Sequence, residues 1–307
     1  MTPPVIAVVG PTATGKSDLA LALAARWTAE IVNADAMQLY RGMDIGTAKL
    51  PLEQRLGIPH HQLDVLDVRD DASVAAYQHD ARAAVDAINA RAHRAVVVGG
   101  SGLYLRALLD ELDFPGTEPA VRAVLEARAA AEGAAALHAE LAARDPAAAI
   151  AIPVANERRV IRALEVIELT GRPFTATMPS YTYAVPAVQI GLQMPLEELD
   201  ARIGRRVDRM WSAGLVAEVR ALADRGLRAG RTASRAVGYA EVLALLDGHS
   251  GEEAARQAVA TNTRRLARRQ LKWFRRDPRV TWLDARAEDL VEQAVAVISA
   301  ADGVGAG

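Results

Sequence analysis

The chain contains no cysteine among its 307 residues, which excludes disulfides and thiolate-bound metals and fits a reducing, cytoplasmic setting. It also lacks a dominant charge, because 36 Lys and Arg stand against 38 Asp and Glu for a formal net charge of -2. No global field calls for a polyanionic partner, so any nucleic acid site must be local. Long apolar runs are missing as well: the stretches at 19–25 and 129–137 are short or alanine-rich, and no membrane span is expected. With only a few residues before position 10, no signal peptide with a basic flank and an apolar core is expected. No internal repeat is visible, and the alanine-rich stretches read as compositional bias. What the chain does have is 51% apolar residues, enough for a sizeable core in one large domain with an insertion, or in two domains.

The most informative segment is Gly10-Pro11-Thr12-Ala13-Thr14-Gly15-Lys16-Ser17, set directly after the apolar run 5–9. A glycine, four residues, then Gly-Lys-Ser between a strand and a helix is the phosphate-loop pattern. The glycines permit a tight turn that points successive amides at phosphate oxygens, and the helix adds its positive end. Lys16 supplies a compact positive charge and Ser17 a hydroxyl suited to magnesium. Read alone, the loop favours ATP, although it does not say whether the phosphates belong to a nucleotide.

Strands are expected at 5–9, 30–33 and 95–98, alternating with helices at 16–27, 73–90 and 103–109. That alternation predicts an α/β fold, a P-loop NTPase-like mostly parallel sheet flanked by helices. Composition changes after Pro115, where alanine, arginine and glutamate replace β-branched residues. The simplest parse is a core from 1–115, a helical insertion domain at 116–184, and a return to the core with C-terminal helices over 185–307. Asn156 is a candidate cap for a helix ending before Gly171, and 179–186 reads as irregular chain carrying Tyr181 and Tyr183. Residues 188–194 alternate apolar with polar or small side chains and return the chain to the sheet. Helices follow at 196–211, 215–225, 234–246 and 252–274, then a strand at 280–283, a helix at 288–298 and a frayed tail at 301–307.

Several groups are suited to chemistry. Asp35 follows the second strand, where a carboxylate can bind magnesium through water or accept a proton, and Gln38 has the donors and acceptors to read a base edge. The cluster Gly99-Gly100-Ser101-Gly102 follows the third strand and reads equally as a tight turn or a binding loop. Arg265, Arg268, Arg269 and Lys272 lie three and four residues apart on one expected helix, forming a local cationic stripe suited to a nucleic acid backbone. A solvated face with internal salt bridges is the competing reading. Arg158, Arg159 and Arg162 make a smaller basic patch. The adjacent His60 and His61 do not complete a metal site, and a loop or supporting role is expected for them.

Taken in order, these segments resemble the tRNA dimethylallyltransferases, also called tRNA isopentenyltransferases, in their compact bacterial form. The resemblance rests on the phosphate loop, Asp35-Ala36-Met37-Gln38-Leu39-Tyr40-Arg41-Gly42 with the following Met43-Asp44-Ile45-Gly46-Thr47-Ala48-Lys49, and Pro59-His60-His61. It continues through Gly99-Gly100-Ser101-Gly102-Leu103-Tyr104, Arg159-Val160-Ile161-Arg162-Ala163-Leu164-Glu165 and Ala236-Val237-Gly238-Tyr239. The resemblance implies transfer of a dimethylallyl group from dimethylallyl diphosphate to N6 of adenosine 37 in the tRNA anticodon loop, with magnesium as cofactor.

The loop from Gly10 to Ser17 would then hold the donor's diphosphate, with Thr12 and Lys16 as donors and Arg235 neutralising the leaving group. Asp35 would accept the N6 proton. The resemblance also sets Asp35, Ala36, Met37, Gln38, Ser101 and the stretch Glu157, Arg158, Arg159, Val160, Ile161 against a tRNA anticodon stem-loop, and a monomer is expected. Ala36 stands where serine is common in the family and Ser101 where threonine is common. A small-molecule kinase and a non-catalytic nucleic acid binder are the competing functions. A kinase leaves the basic helix unexplained, and a non-catalytic binder does not need Asp35, Lys16 and Arg235 together.

Overall fold

The computed structural model describes residues 3–174 and 181–304. Residues 179 and 180 of the expected irregular stretch and 305–307 of the expected tail lie outside the described residues. The chain divides into two compact units, residues 1–109 with 183–307, and residues 110–182.

The first unit is built on a six-stranded parallel sheet in the order β3-β2-β4-β1-β5-β6. Its strands are β1 (Val5–Val9), β2 (Ala29–Asn33), β3 (His60–His61), β4 (Arg94–Gly99), β5 (Ala187–Gln193) and β6 (Val280–Asp284). β1 is central and wholly buried, which explains its unbroken apolar sequence. β5 is buried along both faces from Val188 to Leu192, so the alternation read in its sequence does not mark a solvent face. Gly191 supplies the reason: a Cβ there would come within 2.6 Å of Val280 and 2.7 Å of Trp282.

On one face α1 (Lys16–Arg26) and α12 (Leu290–Val304) cover the sheet through Leu19, Leu23, Ala294 and Ile298. The expected fraying begins later, since α12 remains helical through Val304. α2 (Val74–Ala90), capped by Ser73, packs on β2 and β4 and on α3 (Gly102–Leu109). Four further helices complete the unit: α8 (Leu196–Ser212), α9 (Leu215–Asp224), α10 (Tyr239–Leu246) and α11 (Glu252–Phe274). α8 buries Leu199, Ile203, Val207 and Met210, a spacing that puts all four on one side of the helix. α10 starts five residues after the expected position 234, because Gly238 at φ 97 interrupts the chain after a 3-10 turn at Ala233–Arg235.

His60 and His61 form the edge strand β3, paired with Ile31 and Val32, in place of the expected loop. His61 Nε2 lies 2.7 Å from Glu30, and His93 Nδ1 and Arg91 also bond that buried carboxylate at 2.8 Å. Burial favours the neutral form of Glu30, but the hydrogen bonds from Arg91, His61 and His93 outweigh it and bring the carboxyl down to about 2.

The second unit is helical: α4 (Pro119–Glu132), α5 (Ala134–Arg144), α6 (Pro146–Ala151) and α7 (Glu157–Thr170). Gly133, at φ 85, separates α4 from α5 where helical composition alone would have continued. Leu125, Leu137, Leu141, Val160 and Leu164 form its core. Glu165 is fully buried but bonds Arg122 and Arg162, so its charge is paired. Asn156 occupies the cap position of α7 without a side-chain capping bond. No helix among the described residues is long and apolar enough to cross a membrane.

Candidate active site

The loops that leave β1, β2 and β4 all emerge at the carboxyl edge of the sheet, where open parallel sheets place their ligands. After β1 the backbone turns through Gly10 at φ 130, Ala13 at φ 66 and Gly15 at φ 86 before entering α1. Gly10 is required for a second reason, since a Cβ there would lie 2.6 Å from the Leu192 carbonyl oxygen of β5. Thr14 Oγ1 donates to the Pro11 carbonyl at 2.9 Å, and Lys16 Nζ reaches the same carbonyl at 2.6 Å. The loop therefore closes on itself with the ammonium folded over it. Ser17 is exposed at the start of α1.

The β2 loop is bracketed by Asn33. Its Oδ1 accepts from the Asp35 amide at 2.9 Å while its Nδ2 donates to the Asp35 and Gln62 carbonyls, each at 2.9 Å. Asp35 Oδ1 accepts from the Met37 amide at 3.0 Å and caps a 3-10 turn at Ala36–Leu39. Ser101 Oγ accepts from the Ala36 amide at 3.1 Å, joining the β4 loop to the same turn.

The glycine cluster after β4 is shaped by its neighbours. A Cβ on Gly99 would lie 2.2 Å from the Ala34 carbonyl oxygen, one on Gly100 2.3 Å from Gln270, and one on Gly102 2.1 Å from Trp273. Gln270, from the middle of α11, links two loops: its Oε1 accepts from the Thr12 amide at 2.9 Å and its Nε2 donates to the Gly100 carbonyl at 3.0 Å.

Three charges act on one another here. Burial strips water from the Lys16 ammonium and brings it down to about 8, while Asp35 opposes that fall and Arg206 adds to it. Arg206 comes from α8. Burial lowers its pKa too, again opposed by Asp35, yet a guanidinium keeps its charge at any ordinary pH. One Arg206 NH2 donates to the Thr47 carbonyl at 3.2 Å, and its buried Nε has no hydrogen-bond partner among the described residues. An unspent buried donor beside Lys16 and a phosphate loop is suited to an anion. Around Asp35, burial raises Tyr104 to about 12, so that ring stays neutral, and the Tyr77 hydroxyl donates to the Asn33 carbonyl at 2.8 Å.

Thr12, Lys16, Asp35, Gln38 and Ser101 thus come from three loops at one sheet edge. Arg235 is exposed on its 3-10 turn, and Arg206 of α8 is a second arginine, one the sequence reading did not single out, whose charge acts on Lys16. Nothing in the sequence around Arg206 separates it from its neighbours Arg202, Arg205 and Arg209 on an amphipathic helix. In the second unit Glu157, Arg158 and Arg159 are exposed, whereas Val160 and Ile161 are buried in its core. Arg265, Arg269 and Lys272 are exposed on α11, while Arg268 is committed to Asp200 at 2.7 Å. Leu196, Arg268, Leu271, Lys272, Arg275 and Arg276 line an open groove of about 360 Å³.

A family model described as IPP transferase matches residues 38–277. A tRNA dimethylallyltransferase of Thermobifida fusca is 62% identical over 299 residues, covering 96% of this chain and 94% of its own length. The crystal structure of a full-length tRNA isopentenylpyrophosphate transferase from Bacillus halodurans is similar at 39% identity and a TM-score of 0.71, over 98% of this chain and 99% of that one. A eukaryotic dimethylallyltransferase acting on tRNA reaches a TM-score of 0.85 at 26% identity, over 99% of this chain and 80% of its own.

Proposed function

The chain belongs to the IPP transferase family, and from that premise we infer that it transfers a dimethylallyl group from dimethylallyl diphosphate to N6 of adenosine 37 in tRNA. The observation that carries this reading to particular residues is the electrostatic grouping of Asp35, Lys16 and Arg206 beside the phosphate loop. The exocyclic amine of adenine is a weak nucleophile because its lone pair is delocalised into the ring. Asp35 accepts the N6 proton as the nitrogen bonds to the allylic carbon, which raises electron density where it is needed. The same carbon loses its bond to the diphosphate oxygen, and negative charge accumulates on the leaving group. Lys16, Arg206 and the loop amides face that charge, and one preorganised donor of this kind is worth about 3 kcal/mol in a transition state.

Thr12 contributes its hydroxyl to the diphosphate, its amide being taken by Gln270. Gln38, Ala36, Met37 and Ser101 form the acceptor side. A loop base is cheaper to extrude than a duplex base, so adenosine 37 reaches a sheet-edge pocket at modest cost. Glu157, Arg158, Arg159, Arg265, Arg269 and Lys272 are exposed residues that would meet the tRNA, the cations among them facing its phosphates.

Magnesium fits beside Ser17. Among the described residues no group of three or more His, Cys, Asp or Glu gathers to hold a metal, and Ser17 offers one exposed hydroxyl. A small hard cation bound there would take its remaining ligands from diphosphate oxygens and water, and would supply charge neutralisation to the leaving group.

The test supplies the purified protein with dimethylallyl diphosphate and unmodified tRNA. Nucleoside analysis is expected to show N6-dimethylallyladenosine, whereas ATP-dependent phosphorylation of a metabolite with no prenyl product would overturn the reading.

A further inference from the structure

One carbonyl oxygen serves both halves of the site. Gln38 Nε2 donates to the Thr47 carbonyl at 3.2 Å, and Arg206 donates to the same oxygen at 3.2 Å. Gln38 stands on the acceptor side and Arg206 on the leaving-group side, so a shift of that oxygen misdirects both.

Thr47 lies in an irregular loop, and the loop is fastened from outside the site. Glu218 on α9 accepts from three successive amides, those of Asp44 at 3.1 Å, Ile45 at 2.7 Å and Gly46 at 3.1 Å. The Tyr239 hydroxyl donates to the same carboxylate at 2.6 Å. Gly46 leaves no slack, because a Cβ there would come within 2.5 Å of the Tyr239 ring. Lys49 secures the far end, its buried ammonium donating to Asp44 at 2.7 Å, Asp64 at 2.6 Å and the Tyr40 carbonyl at 2.8 Å. Four donors converging on one carboxylate make a set of charge-assisted bonds that resists displacement.

We propose that Glu218 is a positioning residue for the transfer reaction: it fixes the 44–47 loop so that the Thr47 carbonyl aims Gln38 and Arg206 together. The proposal rests on the roles given above to those two side chains. A misplacement of about 1 Å in such a site costs up to about a hundredfold in rate, so a fastening remote from substrate can govern catalysis.

Glu218→Gln keeps the shape but turns one acceptor into a donor against the loop amides, and Tyr239→Phe removes one bond while keeping the ring over Gly46. The expected result is a fall in kcat of about tenfold for Glu218→Gln and about threefold for Tyr239→Phe, with KM for both substrates far less affected. Glu218→Gln should also weaken binding of inorganic diphosphate, read by calorimetry, and should do so no longer in an Arg206→Gln background.

Unchanged kcat in both folded variants would overturn the proposal, as would a loss of diphosphate affinity of equal size with and without Arg206. If Glu218→Gln does not fold, Tyr239→Phe and its combination with Arg206→Gln decide. A parent protein that makes no prenylated tRNA counts against the transferase reading, while the diphosphate measurements still decide whether Glu218 acts through Arg206.

Discussion

The pH dependence expected of the proposed site follows from Lys16. In the proposed function its ammonium, brought down to about 8 by burial, is the form that would bind the donor's diphosphate, so the useful charge is present below that pH and is lost above it. Because kcat/KM reports groups of the free enzyme, kcat/KM for dimethylallyl diphosphate is expected to fall about tenfold per pH unit once pH passes about 8. A profile flat to pH 10 would show that this ammonium does not meet the donor. The residues that matter here differ in how far the sequence discloses them. Lys16 and Asp35 are legible because each follows a buried strand within a few positions, and strand ends are marked by glycine and polar residues. Arg206, Gln270 and Glu218 are not, because each reaches the loops from a distant helix whose polar face reads like any solvated one. Gln270 bonds Thr12 across 258 positions, a separation no local pattern encodes.

At the level of elements, β2 and β3 are joined by side chains as well as by backbone. Glu30 of β2 ties His61 of β3 to Arg91 and His93 just beyond α2. With a folded value of about 2 against an ordinary value of 4.5, the carboxylate adds stability that is fully present above about 4.5 and is lost as pH falls through about 2. Glu30→Gln is expected to cost about 2 kcal/mol at pH 7, in denaturant titrations, and the difference should shrink towards pH 2. A cost independent of pH would contradict the ionic account. His60 and His61 also show why β3 was missed: two residues are too short for a periodic signal, and their strand character comes from pairing with β2. The end of α7 was legible at Gly171, which takes a left-handed conformation just past the last helical residue. Gly238, inside a helical pattern, delayed α10 without a visible warning.

Across the whole molecule, a net charge of -2 coexists with exposed cations on α11, so binding to tRNA is expected to depend on a few placed charges. Replacing Arg269 or Lys272 by glutamine should each reduce the slope of log affinity against log salt by about 1, while kcat at saturating tRNA stays near the parent value. Unchanged slopes in both variants would remove α11 from the tRNA surface. The parallel sheet was legible from the alternation of apolar strands and helices, and the helical unit from its alanine-rich composition. Its surface was less so, since the motif containing Arg159 also contains Val160 and Ile161, whose service is to the core. The central claim is that Asp35 takes the N6 proton at the edge of this sheet, and it is tested most directly by single-turnover transfer with Asp35→Asn at saturating tRNA and dimethylallyl diphosphate. The account predicts that transfer is nearly abolished while tRNA affinity is largely kept, and transfer at the parent rate would contradict it.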